Sequence, residues 1–121
     1  MLAGEFKQEI LKLHNHVNLG LFGQGLRWQK VEILEDKMII LANNKRVKAL
    51  TAIDSIEPMT TKLIDLSLLL EFKTRFRRQL KEKLGLDSVC VLKDYDPASE
   101  LSVCIIVLKE RVEDFLESLN R

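Results

Sequence analysis

The sequence has few of the residues that cross-link a small protein, since only two of its 121 residues are cysteines. Cys90 and Cys104 lie in apolar segments and match no metal-binding spacing. We therefore expect two buried, reduced side chains rather than a disulfide framework or a zinc site.

The chain also lacks a charge excess of either sign. Nineteen basic residues against 18 acidic ones leave a net charge of +1, so the net charge gives no long-range attraction to nucleic acid or to anionic lipid. The first ten residues are polar and do not resemble a secretory signal. No segment approaches the roughly 20 apolar residues of a membrane span. We expect a soluble, cytoplasmic protein that does not insert into a membrane and that forms a single domain over residues 1–121, with 46% apolar residues to build its core.

The longest periodic segment runs from Thr60 to Leu84, between Pro58 and Gly85. Apolar residues recur there at every fourth position, which predicts one unbroken helix of about seven turns. Leucines fill further positions in its first half, so we expect that half to be buried on nearly all sides. The second half should have one face against a core and one in water. The recurring positions are Ile64, Leu68, Phe72, Phe76, Leu80 and Leu84.

The other segments predict an α+β fold with the order helix, hairpin, helix, helix, hairpin, helix. Alternating residues over 28–34 and 37–42 predict one hairpin, and 88–93 with 101–108 predict a second. Helices are expected over 3–19, ended by Gly20, then from Val47 to just before Pro58, and over 110–119. The two hairpins should form a four-stranded antiparallel sheet packed against the long helix and the terminal helices. If the second hairpin is centred near Pro97, Cys90 lies nearly opposite Cys104.

The segment from Val103 to Leu108 is apolar at six successive positions. Such a strand is typical of the centre of a sheet with both faces covered. Because the chain is small, we expect the second cover to come from another subunit, which makes a homodimer the preferred assembly.

Most residues that could carry chemistry do not form a recognisable pattern. His14 and His16 are two apart on a helix, so they point to nearly opposite faces and cannot form a paired metal site. Asp94 and Asp96 are interpreted as turn residues, because no calcium loop surrounds them. No serine, histidine and aspartate group is found, and Gly23 and Gly25 do not form a phosphate-binding loop. We expect no catalytic residues, no cofactor and no metal.

Two regions are candidates for binding a partner. The loop from Leu21 to Gly25 places two large apolar residues beside two glycines. The segment Lys73–Lys83 carries six basic residues, and Arg75 lies beside the half of the helix that is expected to be buried, where a guanidinium needs an anionic partner. The candidate partner-binding residues are Phe22, Gly23, Gly25, Arg75 and Arg78.

Taken in order, several short motifs resemble the MpsC-like family of small bacterial proteins over about residues 20 to 109. They are Gly23-Gln24-Gly25, the strand pair 31–41, Leu50-Thr51 with Asp54, Arg75, Gly85, Asp94 and the closing segment 105–108. The resemblance implies a soluble component of a sodium-translocating, membrane-potential-generating system, acting beside membrane subunits.

The sequence and the resemblance together favour a non-catalytic accessory or regulatory protein of a bacterial cation or inorganic-carbon transport system. It would act by protein–protein binding, with a membrane transporter subunit as partner. A first alternative is a nucleic-acid-binding regulator that uses Lys73–Lys83, although we do not expect nucleic acid to be a partner. A second is an enzyme that holds a small anionic substrate with Arg75.

Overall fold

The computed structural model describes all residues from Met1 to Arg121 and confirms the expected α+β architecture. Four helices accompany one antiparallel sheet of strand order β1-β2-β4-β3. The element order is the expected one. The elements are α1 (Ala3–Phe22), β1 (Trp28–Leu34), β2 (Lys37–Asn43), α2 (Lys48–Asp54), α3 (Pro58–Leu84), β3 (Ser88–Asp96), β4 (Leu101–Leu108) and α4 (Val112–Leu119).

The two hairpins meet through their second strands. The β1–β2 hairpin turns at Glu35 and Asp36, as expected, and β2 then pairs with β4 in the middle of the sheet. This places β4 at the centre, which confirms the position inferred from its continuous apolar run. β1 and β3 form the two edges of the sheet.

One face of the sheet carries the core. Side chains that alternate along the strands meet aromatic and aliphatic residues of α1, α3 and α4, as expected for helices layered on one face. Phe6 of α1 stacks obliquely on Phe115 of α4, with 5.7 Å between ring centroids. The fully buried side chains include Phe6, Ile10, Met38, Ile40, Phe72, Phe76, Leu80 and Ile106.

Helix α1 continues past Gly20, where we expected it to end. The left-handed residue is instead Gly23, with φ of 71°, and its amide donates to the carbonyl of Leu19. Leu21 packs against the core as part of the last turn, so burial of its side chain outweighs the low helix propensity of one glycine. Phe22 is therefore the last helical residue rather than part of a loop.

The second hairpin turns later than expected. Strand β3 runs to Asp96, which pairs with Leu101, so Asp94 and Asp96 are strand residues and the turn comprises residues 97–100. The expected opposition of the two cysteines is wrong. Cys104 pairs with Lys93, and Cys90 pairs with Val107 in the same register. Cys104 is buried and Cys90 half-buried, and both are free thiols.

Helix α3 is a single unbroken helix of 27 residues, about 40 Å long. The expectation that its first half is buried on nearly all sides is wrong, since Thr61 is the only buried residue before Phe72. This half packs against α2, which buries none of its residues, and its residues Asp65, Leu68 and Leu69 line a small cavity together with residues of α1 and β3. We call residues 48–70, comprising α2 and the first half of α3, the helical arm. No helix in the chain is both long enough and apolar enough to cross a bilayer.

Candidate functional site

The five residues expected to bind a partner are found in two places. Phe22, Gly23 and Gly25 lie at the C-terminal end of α1, where Phe22 and Gly25 line a small cavity at the base of the arm. Arg75 and Arg78 lie on α3 and line neither of the two principal cavities. The structure does not bring the five together into one site.

Arg75 is paired within its own helix. Its Nε donates to Glu71 at 2.9 Å, and both side chains are more than 40% exposed. A carboxylate four residues earlier thus provides the anionic partner that Arg75 was expected to need. This pairing weighs against an enzyme that uses Arg75 to hold its substrate. Arg78 is exposed and makes no ion pair.

The buried arginine of this protein is Arg46, which lies just before α2. Its side chain is only 8% exposed and binds two carboxylates: Nε and Nη2 donate to Asp54 at 3.0 and 2.8 Å, and Nη1 donates to Asp65 at 2.6 Å. The guanidinium of Arg46 lowers the pKa of Asp54. These bonds join the loop after β2 to both helices of the arm, and they leave no free charge on Arg46 for a ligand.

A chain of buried polar groups surrounds Asn44 at the end of β2. The side-chain amide of Asn44 donates to Asn18 of α1 at 2.7 Å and accepts from the hydroxyl of Ser102 at 2.7 Å. The Asn44 carbonyl accepts from the hydroxyl of Tyr95 at 2.9 Å. Every buried side-chain polar atom in the protein is hydrogen-bonded. The network joins α1 to strands β2, β3 and β4 and has a structural role.

A second polar chain lies inside the core, below the cavity. Lys93 Nζ lies 3.2 Å from His14 Nε2, and His14 Nδ1 lies 3.0 Å from Gln29 Oε1. Gln29 in turn donates to the carbonyl of Leu11. These partners are consistent with one tautomer of His14, in which Nδ1 carries the proton and Nε2 accepts from Lys93.

Burial disfavours the charged forms of His14 and Lys93. Desolvation, with Lys93 nearby, lowers the pKa of His14 to about 3, so the ring is neutral at pH 7. Desolvation also lowers the pKa of Lys93 to about 8, while its ammonium lies 3.8 Å from the centroid of the Phe72 ring. The Cys104 thiol opposite Lys93 has a pKa raised to about 11 by burial, so it is not a nucleophile at neutral pH.

The cavity at the base of the arm is too small to serve as an evident substrate pocket. It offers about 30 Å³, room for about one water molecule. Its lining mixes apolar and polar residues, and its arginine is already neutralised by two aspartates. The lining includes Phe22, Gly25, Arg46, Leu68, Lys93 and Tyr95.

The solvent face of α3 is apolar at one end and basic at the other. Met59, Leu63, Leu66 and Leu70 are each more than 50% exposed and repeat at spacings of four, three and four. These residues form one ridge, which we call the leucine ridge. Arg77 and Lys81 continue this face towards the C-terminus, and Arg78 is exposed to one side of it. An exposed apolar ridge with a charged continuation is typical of a protein-binding surface.

The sheet face opposite the core has no helix over it. Its side chains are apolar on the central strands, where Ile39, Leu41, Val103, Ile105 and Val107 are only half-buried. Trp28, Leu34 and Leu92 on the edge strands are exposed. We call this surface the open sheet face. Within one chain β4 is therefore covered on one face only, and the expectation that a second subunit covers the other face stays a prediction.

Sequence reasoning selected Arg75 and missed Arg46. Two signals in the sequence pointed to Arg46: Asp65 interrupts the apolar run Leu63–Leu70, and Asp54 lies in a short apolar helix. Carboxylates in such surroundings need a cation, and Arg46 is close to both in the fold.

In comparisons with known proteins, no protein-family model, no curated protein and no solved structure matches the chain.

Proposed function

We propose that this protein is a non-catalytic accessory protein that binds a partner protein through the leucine ridge of α3. The observation that carries the proposal is the exposure of Met59, Leu63, Leu66 and Leu70 on one face of a helix. A row of large apolar side chains on one face of a helix is normally buried, so this row lacks its cover. Water-exposed ridges of this kind bind amphipathic helices with anchors at the same spacing.

The basic end of the same face defines the chemistry of the partner. Arg78 is exposed without an ion pair and lies about two turns beyond Leu70, to one side of the ridge. Arg77 and Lys81 are already engaged, with the carbonyl of Ser88 and the carboxylate of Asp87. The partner that fits is a helix with an apolar face followed by acidic residues. Arg78 would then affect which partner binds, and how fast it binds, more than it affects the affinity.

The resemblance to the MpsC-like family supports a particular source for that helix. A cytoplasmic segment of a membrane subunit of a cation or inorganic-carbon transport system is the partner we propose. In that arrangement the protein is a regulatory or assembly component. Its Arg46 cluster holds the arm in position, and its other polar clusters join α1 to the sheet.

A photo-crosslinking residue at Leu66 tests the proposal in cells that make the protein. We expect a crosslinked product with an integral membrane transport subunit, identified by mass spectrometry. The photo-crosslinking residue placed instead at the exposed position of Glu117 in α4 is the control and should give no such product. Crosslinking of Leu66 only to a second copy of this chain, or to nucleic acid, would contradict the proposal.

Purified components test the roles of single residues. Leu66→Ser should weaken binding to the identified subunit by about tenfold or more, because the exchange removes an apolar anchor. Arg78→Glu should lower the association rate and make it less dependent on salt. Unchanged binding by Leu66→Ser would show that the partner contacts another surface.

A further inference from the structure

The open sheet face has an ordered pattern that becomes clear from the strand register. Residues on this face form four rows across β1, β2, β4 and β3. The two middle rows are apolar at the centre and charged at one or both edges. Listed from β1 to β3, one middle row consists of Glu32, Ile39, Ile105 and Leu92. The other consists of Lys30, Leu41, Val103 and Asp94.

The charges at the edges of these rows lack partners within the chain. Lys30, Glu32 and Asp94 are exposed, and none takes part in an ion pair. The two apolar residues between them in each row lie on β2 and β4, the strands at the centre of the sheet. The face therefore has an apolar centre and a charged rim, which is the anatomy of a protein interface.

A second copy of the same face matches this pattern. Two identical faces can pack against each other only through a two-fold axis that lies between them, in the plane of the interface. If the axis runs along the strands, Lys30 of one copy faces Asp94 of the second copy. If the axis runs across the strands, Lys30 faces Glu32 of the second copy. Either arrangement pairs Lys30 with a carboxylate twice and packs the apolar centres together.

We infer that the open sheet face binds a second copy of this chain, face to face, with Lys30 paired to a carboxylate across the interface. Aligned packing of two sheets, within about 30° of parallel, is a common way to bury such faces. The inference goes beyond the proposed function, since it concerns a different surface from the leucine ridge.

The size of the face sets the expected strength of the dimer. Four strands about 4.8 Å apart and about seven residues long, at roughly 3.3 Å each, cover about 440 Å² in projection. Stable interfaces bury about 800 Å² on each partner. We therefore expect a reversible dimer that dissociates as the protein is diluted.

Sedimentation of the purified full chain over a range of concentrations tests the inference. The wild type should change from monomer to dimer as concentration rises. Leu92→Glu should raise the dissociation constant by about 100-fold or more, because each dimer loses two apolar contacts and opposes carboxylates twice. Leu92 faces Glu32 of the second copy if the axis runs along the strands, and Asp94 if it runs across. Leu92 is 52% exposed in the single chain, so the fold should tolerate the exchange. A wild type that stays monomeric up to its solubility limit would overturn the inference.

Charge reversal identifies the pairing. Lys30→Glu should weaken the dimer by about tenfold or more, since it opposes like charges twice. Mixing Lys30→Glu protein with Asp94→Lys protein should restore dimers if the axis runs along the strands. Mixing it with Glu32→Lys protein should restore them if the axis runs across. An unchanged dissociation constant for Lys30→Glu would overturn the assignment of this surface.

A variant of the arm separates this inference from the proposed function. Leu66→Ser should leave the dimer dissociation constant unchanged, because Leu66 lies on the leucine ridge and not on the sheet. Loss of the dimer in Leu66→Ser, with Leu92→Glu unaffected, would show that two copies pair through their arms and would overturn the inference.

Discussion

His14 shows how a single buried side chain makes the stability of this protein depend on pH. The ring lies edge-on against Phe72 and Phe76, with centroid distances of 5.1 and 5.4 Å. It has no anionic neighbour to favour the imidazolium, and its contact with Lys93 disfavours it further. Folding therefore requires the neutral ring.

We expect stability to fall as pH falls from 6.5 towards 4.5. The pKa of His14 is about 3 in the folded protein against 6.5 when exposed, so the unfolded chain binds an extra proton in this range. Linkage then removes about 2–3 kcal/mol of unfolding free energy by pH 4.5. Urea unfolding at pH 7 and pH 4.5 measures the loss.

His14→Gln should remove most of this pH dependence, although the variant is less stable at pH 7 because ring packing is lost. His16→Gln is the matched control, since His16 is exposed two residues away on the same helix. An equal fall in stability for wild type and His14→Gln would contradict the assignment of the effect to His14.

Sequence reasoning was limited at the residue scale, and the two arginines show why. The predicted helix already placed Glu71 four residues before Arg75, where its carboxylate lies 2.9 Å from Nε, and the prediction of an external partner overlooked this pair. Arg46 follows a turn and belongs to no periodic segment, so its burial depends on contacts with residues 8 and 19 positions away. The opposite faces of His14 and His16 followed from helix geometry alone and are confirmed.

At the scale of single elements, the two left-handed glycines end α1 and α3. Gly85 has φ of 71°, and its amide donates to the carbonyls of Leu80 and Lys81. A methyl group at Gly85 would meet no atom within 4 Å, so only the backbone conformation makes glycine favourable there.

Gly85→Ala should therefore lower the unfolding free energy by about 1 kcal/mol. Gly4 in the first turn of α1 is also open on all sides but has a helical φ, so Gly4→Ala should raise stability by about 0.5 kcal/mol. Thermal or urea unfolding of the two variants gives the comparison. A stabilising Gly85→Ala would show that this residue does not need the left-handed conformation.

Elements with a strong repeat could be predicted from the sequence, and their ends and surroundings could not. The β1–β2 hairpin and the unbroken α3 followed from alternation and four-residue spacing. The exposure of α3 before Phe72 did not, because an apolar helix has the same pattern whether its own chain or another protein covers it. The predicted register of the second hairpin is wrong because the β3–β4 turn is centred after Pro97, which moves the partner of Cys90 from Cys104 to Val107.

On the scale of the whole molecule, the protein has a packed body and an arm that shares little of its core. The arm contributes no residue to the buried apolar cluster. Its attachment includes the bonds of Arg46 to Asp54 and Asp65, which span both helices of the arm. The arm should therefore open more readily than the sheet.

Arg46→Met should increase amide hydrogen exchange across residues 48–70 by about tenfold or more while leaving the β2–β4 amides protected. The reason is that two carboxylates lose the cation that holds them against the body. Asp87→Asn is a suitable control, because it removes an exposed ion pair with Lys81 beyond the arm. Equal protection of the arm in wild type and Arg46→Met would contradict this view.

The pairing of β2 with β4 also has a consequence for the order of folding. Each hairpin can form locally, but the ladder between them closes a loop that contains both α2 and α3. Closing that loop carries the largest entropic penalty in the sheet, so docking of the two hairpins should be the slow step. Substitutions in the two turns would then change the folding rate less than substitutions along the central ladder.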